Sequence, residues 1–510
     1  MSTTFADRLL QFPLILILTG FAALAMLLPM ADAMTRDDHN VALAFFYAAV
    51  LGLALVLTIG LAISGRSRTA NSDLGNLLSL FLAYSALPVF LALPFYEGLE
   101  TTSFLNAYFE MVSCITTTGA PIFDVPGRLV DSLHLWRAIV AWLGGLLIWI
   151  SAAAVLAQMN LGGFEVTARA EPGQGNSPTD RFERADSAKR LQKCTYQLAP
   201  VYVGLTAALW VLLMLNGDRS LVALIHAMST LATSGVSSVG GVQNGASGLG
   251  GEAVIFLFLL FALSRLTFSS DTLTASRPGF RNDPEFRLGV ILVITVPLLL
   301  FARHWVAALE VDESENLGQA LRALWGAVFT VLSFLSTTGF ESADWAASRA
   351  WSGLGTPGLI LLGLSLVGGG VATTAGGVKL LRVYALYLNG QREIERLVHP
   401  NSVGRAGAGR RRIRREGAFI AWIFFMLFAL SLSLITGALA ALGLDFESTF
   451  VLTIAALSTT GPLMVSAAEA PIILLDLAPG AKLVLCGAMI LGRMETLAII
   501  ALVSPIVWRD

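Results

Sequence analysis

Runs of about 20 mostly apolar residues recur along nearly the whole of this 510-residue chain, and each is long enough to cross the hydrocarbon core of a bilayer. Inside a bilayer every backbone N–H and C=O must find its partner within the protein, so only helices or a closed barrel can span it. A barrel would show alternating polarity in segments of about 10 residues, and the sequence has no such pattern. The fold class is therefore an all-α polytopic membrane protein. Composition agrees: 55% of the residues are hydrophobic and 13% charged, against about 25% charged in soluble domains, and the mean hydropathy is +0.72. Spans are expected at roughly 10–30, 41–63, 76–95, 136–158, 196–216, 252–268, 287–305, 357–388, 417–443 and 480–508. The first apolar run has no clear cleavage site and more spans follow it, so it reads as a span rather than a signal peptide. Cys114, Cys194 and Cys486 lie in or beside apolar segments without metal-ligand spacing and read as core thiols.

Between the spans lies a second pattern. A Ser/Thr, Ser/Thr, Gly triplet occurs four times: Thr117-Thr118-Gly119, Thr233-Ser234-Gly235, Thr337-Thr338-Gly339 and Thr459-Thr460-Gly461. The glycines are 116, 104 and 122 residues apart (119 to 235, 235 to 339, 339 to 461), and such a period indicates repeated architecture. Each triplet follows a short apolar stretch, 104–116, 220–232, 321–336 or 447–458, too short to span. The expected unit is span, half-helix, glycine loop, span. This divides the chain into an N-terminal two-helix extension (1–66), a first unit (67–165), a cytoplasmic connector (166–195), a second unit (196–280), a third with a broken second span (281–400) and a fourth (401–510).

Lys and Arg set the orientation. Arg66 and Arg68, the polar stretch 160–195 with Arg169, Arg181, Arg184, Lys189, Arg190 and Lys193, the segment with Arg277, Arg281 and Arg287, and residues 379–415, with ten basic residues against two acids, all fall on one side. The positive-inside rule makes that side, and both termini, cytoplasmic. The run Arg405 to Arg415 is a topology signal that also suits anionic lipid, with contact to a cytosolic partner as the alternative. The net charge of -2 says little about partners.

Irregular backbone at membrane depth is tolerated where it lines water or is buried in protein. A loop of threonine and glycine offers carbonyl and hydroxyl oxygens, and four of them around one axis would form oxygen rings that replace the hydration shell of a bare cation. The C-terminal end of each half-helix would add partial negative charge. The candidate ion-binding residues are Thr116, Thr117, Thr118 and Gly119; Ala232, Thr233, Ser234 and Gly235; Ser336, Thr337, Thr338 and Gly339; and Ser458, Thr459, Thr460 and Gly461. The alternative, small residues serving helix packing, suits one triplet better than four. Glu110 precedes the first loop, but its counterparts are His226, Thr330 and Leu452, so no carboxylate ring forms and a monovalent cation is expected.

Two further features fit a conduction path. The stretch Val367 to Lys379 puts Gly368, Gly369, Gly370, Thr373, Thr374, Gly376 and Gly377 inside an apolar span, where a continuous helix is unfavourable. It reads as a movable constriction ending at Lys379, with a simple kink as the alternative. Arg493 sits near the middle of the last span, where a buried cation is costly and a functional candidate. Its expected partners are Glu495 or carbonyls of the broken span.

These residues together resemble the Trk/Ktr/HKT superfamily of potassium transporters, and the two extra N-terminal spans are similar to its TrkH branch. The resemblance covers nearly the whole chain. It implies four pseudosymmetric M1-P-M2 repeats around a central pore, with Gly119, Gly235, Gly339 and Gly461 as filter glycines, K⁺ as the transported ion, Val367 to Gly377 as an intramembrane gate loop and Arg493 as its cationic neighbour. It further implies a bacterial-type cytoplasmic membrane, a homodimer and a cytosolic nucleotide-binding regulatory subunit of the TrkA type, with no covalent cofactor and no nucleic acid. A serine in place of the first filter glycine accompanies sodium selectivity in that superfamily, so Gly119 favours potassium. The chain departs from the usual pattern at Ser234, Val236, Ala372, Ala375, Ser458 and Thr459.

Other functions fit less well. A less selective or coupled Na⁺/K⁺ transporter is the near alternative, although no acidic relay lies within the spans. A secondary transporter of a small solute would predict inverted repeats, whereas these run in one direction. The five histidines are scattered, and neither a His-Glu-x-x-His motif nor a Gly-x-Ser-x-Gly elbow is present, so no enzyme is expected.

Overall fold

The computed structural model describes residues 12–63, 73–157, 159, 161–164, 187–264, 283–308, 317–354, 356–399, 415–468 and 470–503. The basic residues Arg66, Arg68, Arg169, Arg181, Arg184, Arg277 and Arg281, most of the run Arg405 to Arg415, and most of the expected connector lie outside the described residues.

The described residues are helical. Helices α1 (Leu14–Ala25), α2 (Leu27–Thr35) and α3 (His39–Ile63) form the N-terminal extension. The first unit holds α4 (Asp73–Ser85), α5 (Leu87–Leu99), the short α6 (Phe104–Ile115) and α7 (Asp131–Ser151). The second holds α8 (Ser187–Leu215), the short α9 (Ser220–Ala232) and α10 (Gly248–Leu259). The third holds α11 (Pro284–Ala308), α12 (Leu317–Leu335), α13 (Trp345–Ser352), α14 (Gly358–Val367) and α15 (Leu380–Val398). The fourth holds α16 (Arg415–Ala441), α17 (Phe446–Leu457), α18 (Leu463–Ser466), α19 (Pro479–Met494) and α20 (Thr496–Val503).

Among the described residues eight helical stretches are long and apolar enough to cross a membrane, and a ninth if the bent pair α19 and α20 is one span. Ten spans were expected, and the differences have local causes. The expected span 252–268 is a helix over Gly248–Leu263 only, while the expected span 357–388 is interrupted after Val367, at the break its glycines predict. The last expected span bends by 95° at Glu495, whose φ is 67°. The third half-helix, expected to be too short to span, is one of the eight: α12 begins at Leu317, taking in Gly318 and Gln319 ahead of its apolar stretch, and reaches 19 residues, because a helix can continue into polar residues once it leaves the apolar layer.

The packing is cyclic. Helix α7 packs on α9, α10 on α12, α14 on α17, and α19 returns to α6, so the first part of each unit's second span, whole or broken, covers the short helix of the next. Among the described candidate spans the most buried is the first unit's second: 72% of the apolar window of Asp131–Leu156 is buried, against 28% for Leu14–Thr35 and His39–Ile63. Large apolar side chains such as Leu57, Leu61, Leu299 and Leu434 are exposed on outer helices, a surface that suits lipid. Two of the short helices begin with a side-chain cap. Ser103 accepts from the Asn106 N–H at 3.3 Å, and Asp445 accepts from the Ser448 N–H at 2.9 Å.

Candidate functional site

All four glycine loops leave their helices in one way. Two residues before each glycine a threonine takes the left-handed conformation: Thr117 (φ 54°), Thr233 (50°), Thr337 (60°) and Thr459 (53°). A β-branched residue is strained there, by about 1–3 kcal/mol, and such strain persists only where the surroundings over-determine it. The next N–H turns back five residues. Thr118 donates to Ser113 O at 2.8 Å, Ser234 to Ser229 O at 2.9 Å, Thr338 to Ser333 O at 2.9 Å and Thr460 to Ala455 O at 2.8 Å. This is a Schellman-type closure, which satisfies the helix's end carbonyls and leaves those of the triplet outside the helix.

Gly119, Gly235 and Gly339 also have positive φ, 66°, 69° and 81°. Gly461 does not, and the reason is Pro462, which pushes the residue before it towards extended backbone. Its N–H instead donates to Thr118 O at 2.6 Å. The four loops touch in cyclic order. A Cβ on Gly119 would collide with the Ser234 carbonyl, one on Gly235 with the Thr338 carbonyl, one on Gly339 with the Pro462 ring, and one on Gly461 with the backbone of Ala120 and Gly119. The structure thus brings all four expected loops to one place, with their threonine and serine side chains buried.

The hydroxyls divide into two sets. Thr116 pairs with Thr118 at 2.8 Å, Ser336 with Thr338 at 3.0 Å and Ser458 with Thr460 at 3.2 Å, so these groups fasten each loop to itself. Ala232 has no hydroxyl to offer. It packs against Gly145 of α7, and Ser234 is fastened to Ser229 at 3.1 Å instead.

The left-handed threonines face the broken helix. The Arg493 guanidinium donates to the Thr117 hydroxyl. Thr233 donates to the Thr374 hydroxyl at 3.2 Å, and the Gly376 N–H donates to the Thr337 hydroxyl at 2.7 Å. The Thr459 hydroxyl lies where a Cβ of Gly376 would sit and, among the described residues, has no hydrogen-bond partner.

The stretch between α14 and α15 is a compact loop. Gly368 (φ 72°) and Gly377 (φ 75°) lie against each other too closely for side chains, and the Thr373 hydroxyl closes a turn on Gly370 O at 2.8 Å. Val378 N–H donates to Leu366 O and Leu380 N–H to Gly369 O, both at 2.9 Å, while Gly370 N–H donates to Ala262 O of the second unit at 3.0 Å. A Cβ on Gly369 would also crowd the Ala262 carbonyl. The Lys379 ammonium donates to Ala375 O, and Lys379, Gly376, Arg493 and Glu495 share the lining of one small cavity.

Arg493 lies at the bend that divides the last span. It is one residue from the end of α19, just before the bend, and of its two expected partners it takes the broken span's carbonyl, donating to Thr374 O at 2.8 Å. Glu495 pairs with Arg382 at 2.6 Å, and that guanidinium lies 3.6 Å from the centre of the Phe424 ring. The sequence reading missed Arg382. Its one signal was a cation in the first turn after the glycine run.

A family model described as a cation transport protein, TrkH, matches residues 279–508. The Trk system potassium uptake protein TrkH of Vibrio parahaemolyticus is 30% identical over 419 residues, covering 80% of each chain. This chain belongs to the TrkH family. TrkH proteins are transporters, not enzymes. The Trk system potassium uptake protein TrkG of Escherichia coli K12 is 27% identical and covers 96% of both chains. The crystal structure of the potassium transporter TrkH from Vibrio parahaemolyticus superposes with a TM-score of 0.80 at 25% identity, over 98% of this chain and 99% of that one. The TrkH fold is thus shared over almost the full length.

Proposed function

We propose that this chain carries potassium ions into the cell across a bacterial cytoplasmic membrane, through a channel-like path on the axis of the four glycine loops. The observation that carries this reading is the loop ring: four left-handed threonines, four Schellman closures and four loops touching in cyclic order. Short helices point their C-terminal ends at it, which favours a cation. Triplet carbonyls outside the helices can replace water around a dehydrated ion. Among the described residues no carboxylate ring faces it: Glu110 bonds Arg137 and the Ile122 N–H, and its counterparts are His226, Thr330 and Leu452. The relatives' names specify potassium.

The glycine-rich loop from Gly368 to Gly377, with Arg493 bonded to both it and Thr117, acts as the movable barrier below the ring. A homodimer, a cytosolic nucleotide-binding subunit of the TrkA type acting on that barrier, and cytoplasmic termini complete the proposal. Flux is driven by membrane potential, which supplies about 2.3 kcal/mol per charge for each 100 mV.

The test is cation flux into proteoliposomes holding the purified chain, comparing K⁺, Rb⁺, Na⁺ and Li⁺, with Gly119→Ser alongside. K⁺ and Rb⁺ flux well above Na⁺, with the preference lost in the variant, is the expected result. Equal flux of all four ions would remove the selectivity claim. Absence of flux with and without the regulatory subunit would remove the channel reading.

A further inference from the structure

The loop that follows Gly339 is held from outside its own unit. Glu252 lies on the second turn of α10, in the second unit, and is 2% exposed. Its carboxylate accepts three hydrogen bonds, all from the third unit: the Trp325 indole N–H at 2.8 Å, the Ser342 hydroxyl at 2.7 Å and the Ala343 N–H at 2.7 Å. Ser342 stands three residues after Gly339. Its own N–H reaches the Thr330 hydroxyl at 3.3 Å, and the Asp344 N–H returns to the Ser342 hydroxyl at 3.2 Å.

The first unit solves the same problem with its own residues. Ile122, also three residues after its glycine, donates its N–H at 3.0 Å to Glu110 of α6, whose other oxygen takes Arg137 at 2.5 Å. In the third unit the position of Glu110 is occupied by Thr330, which has one hydroxyl and no charge. There the carboxylate comes instead from the neighbouring unit, across the joint where α10 packs on α12. A carboxylate has room for about four donors, so it alone can gather the indole, the hydroxyl and the backbone N–H. Hydrogen bonds to an ionised acceptor are also the stronger kind.

We propose that Glu252 is a positioning residue for ion selection: by gripping Ser342 and Ala343 it fixes the outer end of the third glycine loop and ties it to the second unit. The proposal rests on the reading of the four loops as a potassium filter. Glu252 does not touch the ion; it acts through the loop that does.

The experiment measures K⁺ and Na⁺ flux in proteoliposomes of the full chain, wild type against Glu252→Gln, together with amide hydrogen exchange. Gln keeps the size but turns an NH₂ group towards one of the three donors. The expected result is a fall of about tenfold in the K⁺/Na⁺ ratio, the factor that corresponds to one lost hydrogen bond. Exchange should quicken at residues 340–344 and stay unchanged at residues 120–124, which Glu110 holds. Ser342→Ala removes one donor and leaves the carboxylate; it moves the ratio the same way by a smaller factor, and decides the matter should Glu252→Gln not fold. An unchanged ratio, or K⁺ and Na⁺ fluxes falling in parallel, overturns the proposal while leaving the filter intact. A wild-type chain that conducts both ions alike overturns the filter reading and this proposal with it.

Discussion

At the scale of single residues, the four left-handed threonines repay comparison, because equal backbones carry unequal hydroxyl environments. The Thr337 hydroxyl accepts the Gly376 N–H at 2.7 Å. Thr337→Val would leave that buried donor unpaired, at a cost of about 1–3 kcal/mol. The expected outcome is a lower thermal midpoint and a higher flux in the absence of the proposed regulatory subunit, since the proposed barrier loop loses one of its ties. The Thr459 hydroxyl has no partner among the described residues, so Thr459→Val should leave the thermal midpoint within error. If that oxygen faces the ion path, K⁺ flux falls in Thr459→Val; unchanged flux would assign it a packing role. Thermal unfolding and flux on the same preparations separate the two variants.

At the scale of elements, the broken third-unit span and the bent last span are fastened to each other. Arg493 holds Thr374 O and the Thr117 hydroxyl, and Arg382 holds Glu495 at the bend. Arg493 therefore joins the glycine-rich loop of the third unit to the first glycine loop. On the proposed filter reading, Arg493→Ala should raise flux without altering the K⁺/Na⁺ ratio, because Arg493 bonds a hydroxyl of the first glycine loop and none of its triplet carbonyls. Unchanged flux in well-folded protein would remove the restraining role. The Arg382–Glu495 pair was hidden because the sequence shows neither the bend that carries Glu495 round nor the Phe424 ring beneath the guanidinium.

At the scale of the whole molecule, the ring is closed by joints between units rather than within them. One joint is polar where Glu252 meets Trp325, and another where the Lys482 ammonium donates to Asn106 of α6 at 2.8 Å. The proposed orientation has a direct check. Val125, in the segment after the first glycine loop, is 60% exposed, and Leu397, at the end of α15, is 83% exposed. In intact cells a membrane-impermeant thiol reagent should label Val125→Cys and spare Leu397→Cys, and in inside-out vesicles the reverse. The opposite pattern would invert the topology and with it the direction of the path.

How much of this was legible in the residues varies with the range of the interaction. Seven of the ten expected spans were, because apolar length is a local property that the bilayer demands; 252–268, 357–388 and the bent last span are not continuous spanning helices. The four loops were, because a Ser/Thr-Gly triplet after a short apolar stretch repeats regardless of its partners. The break after Val367 was, because glycines are poor helix formers wherever they stand. Tertiary structure alone decided that Gly461 differs from the other three glycines in making its contact through Thr118 O, that Arg493 lies at the end of its helix, that Arg382 takes Glu495, and that a carboxylate of the second unit holds the third loop. Each of these depends on which distant groups meet, and a buried charge or donor finds its partner only when the helices have packed.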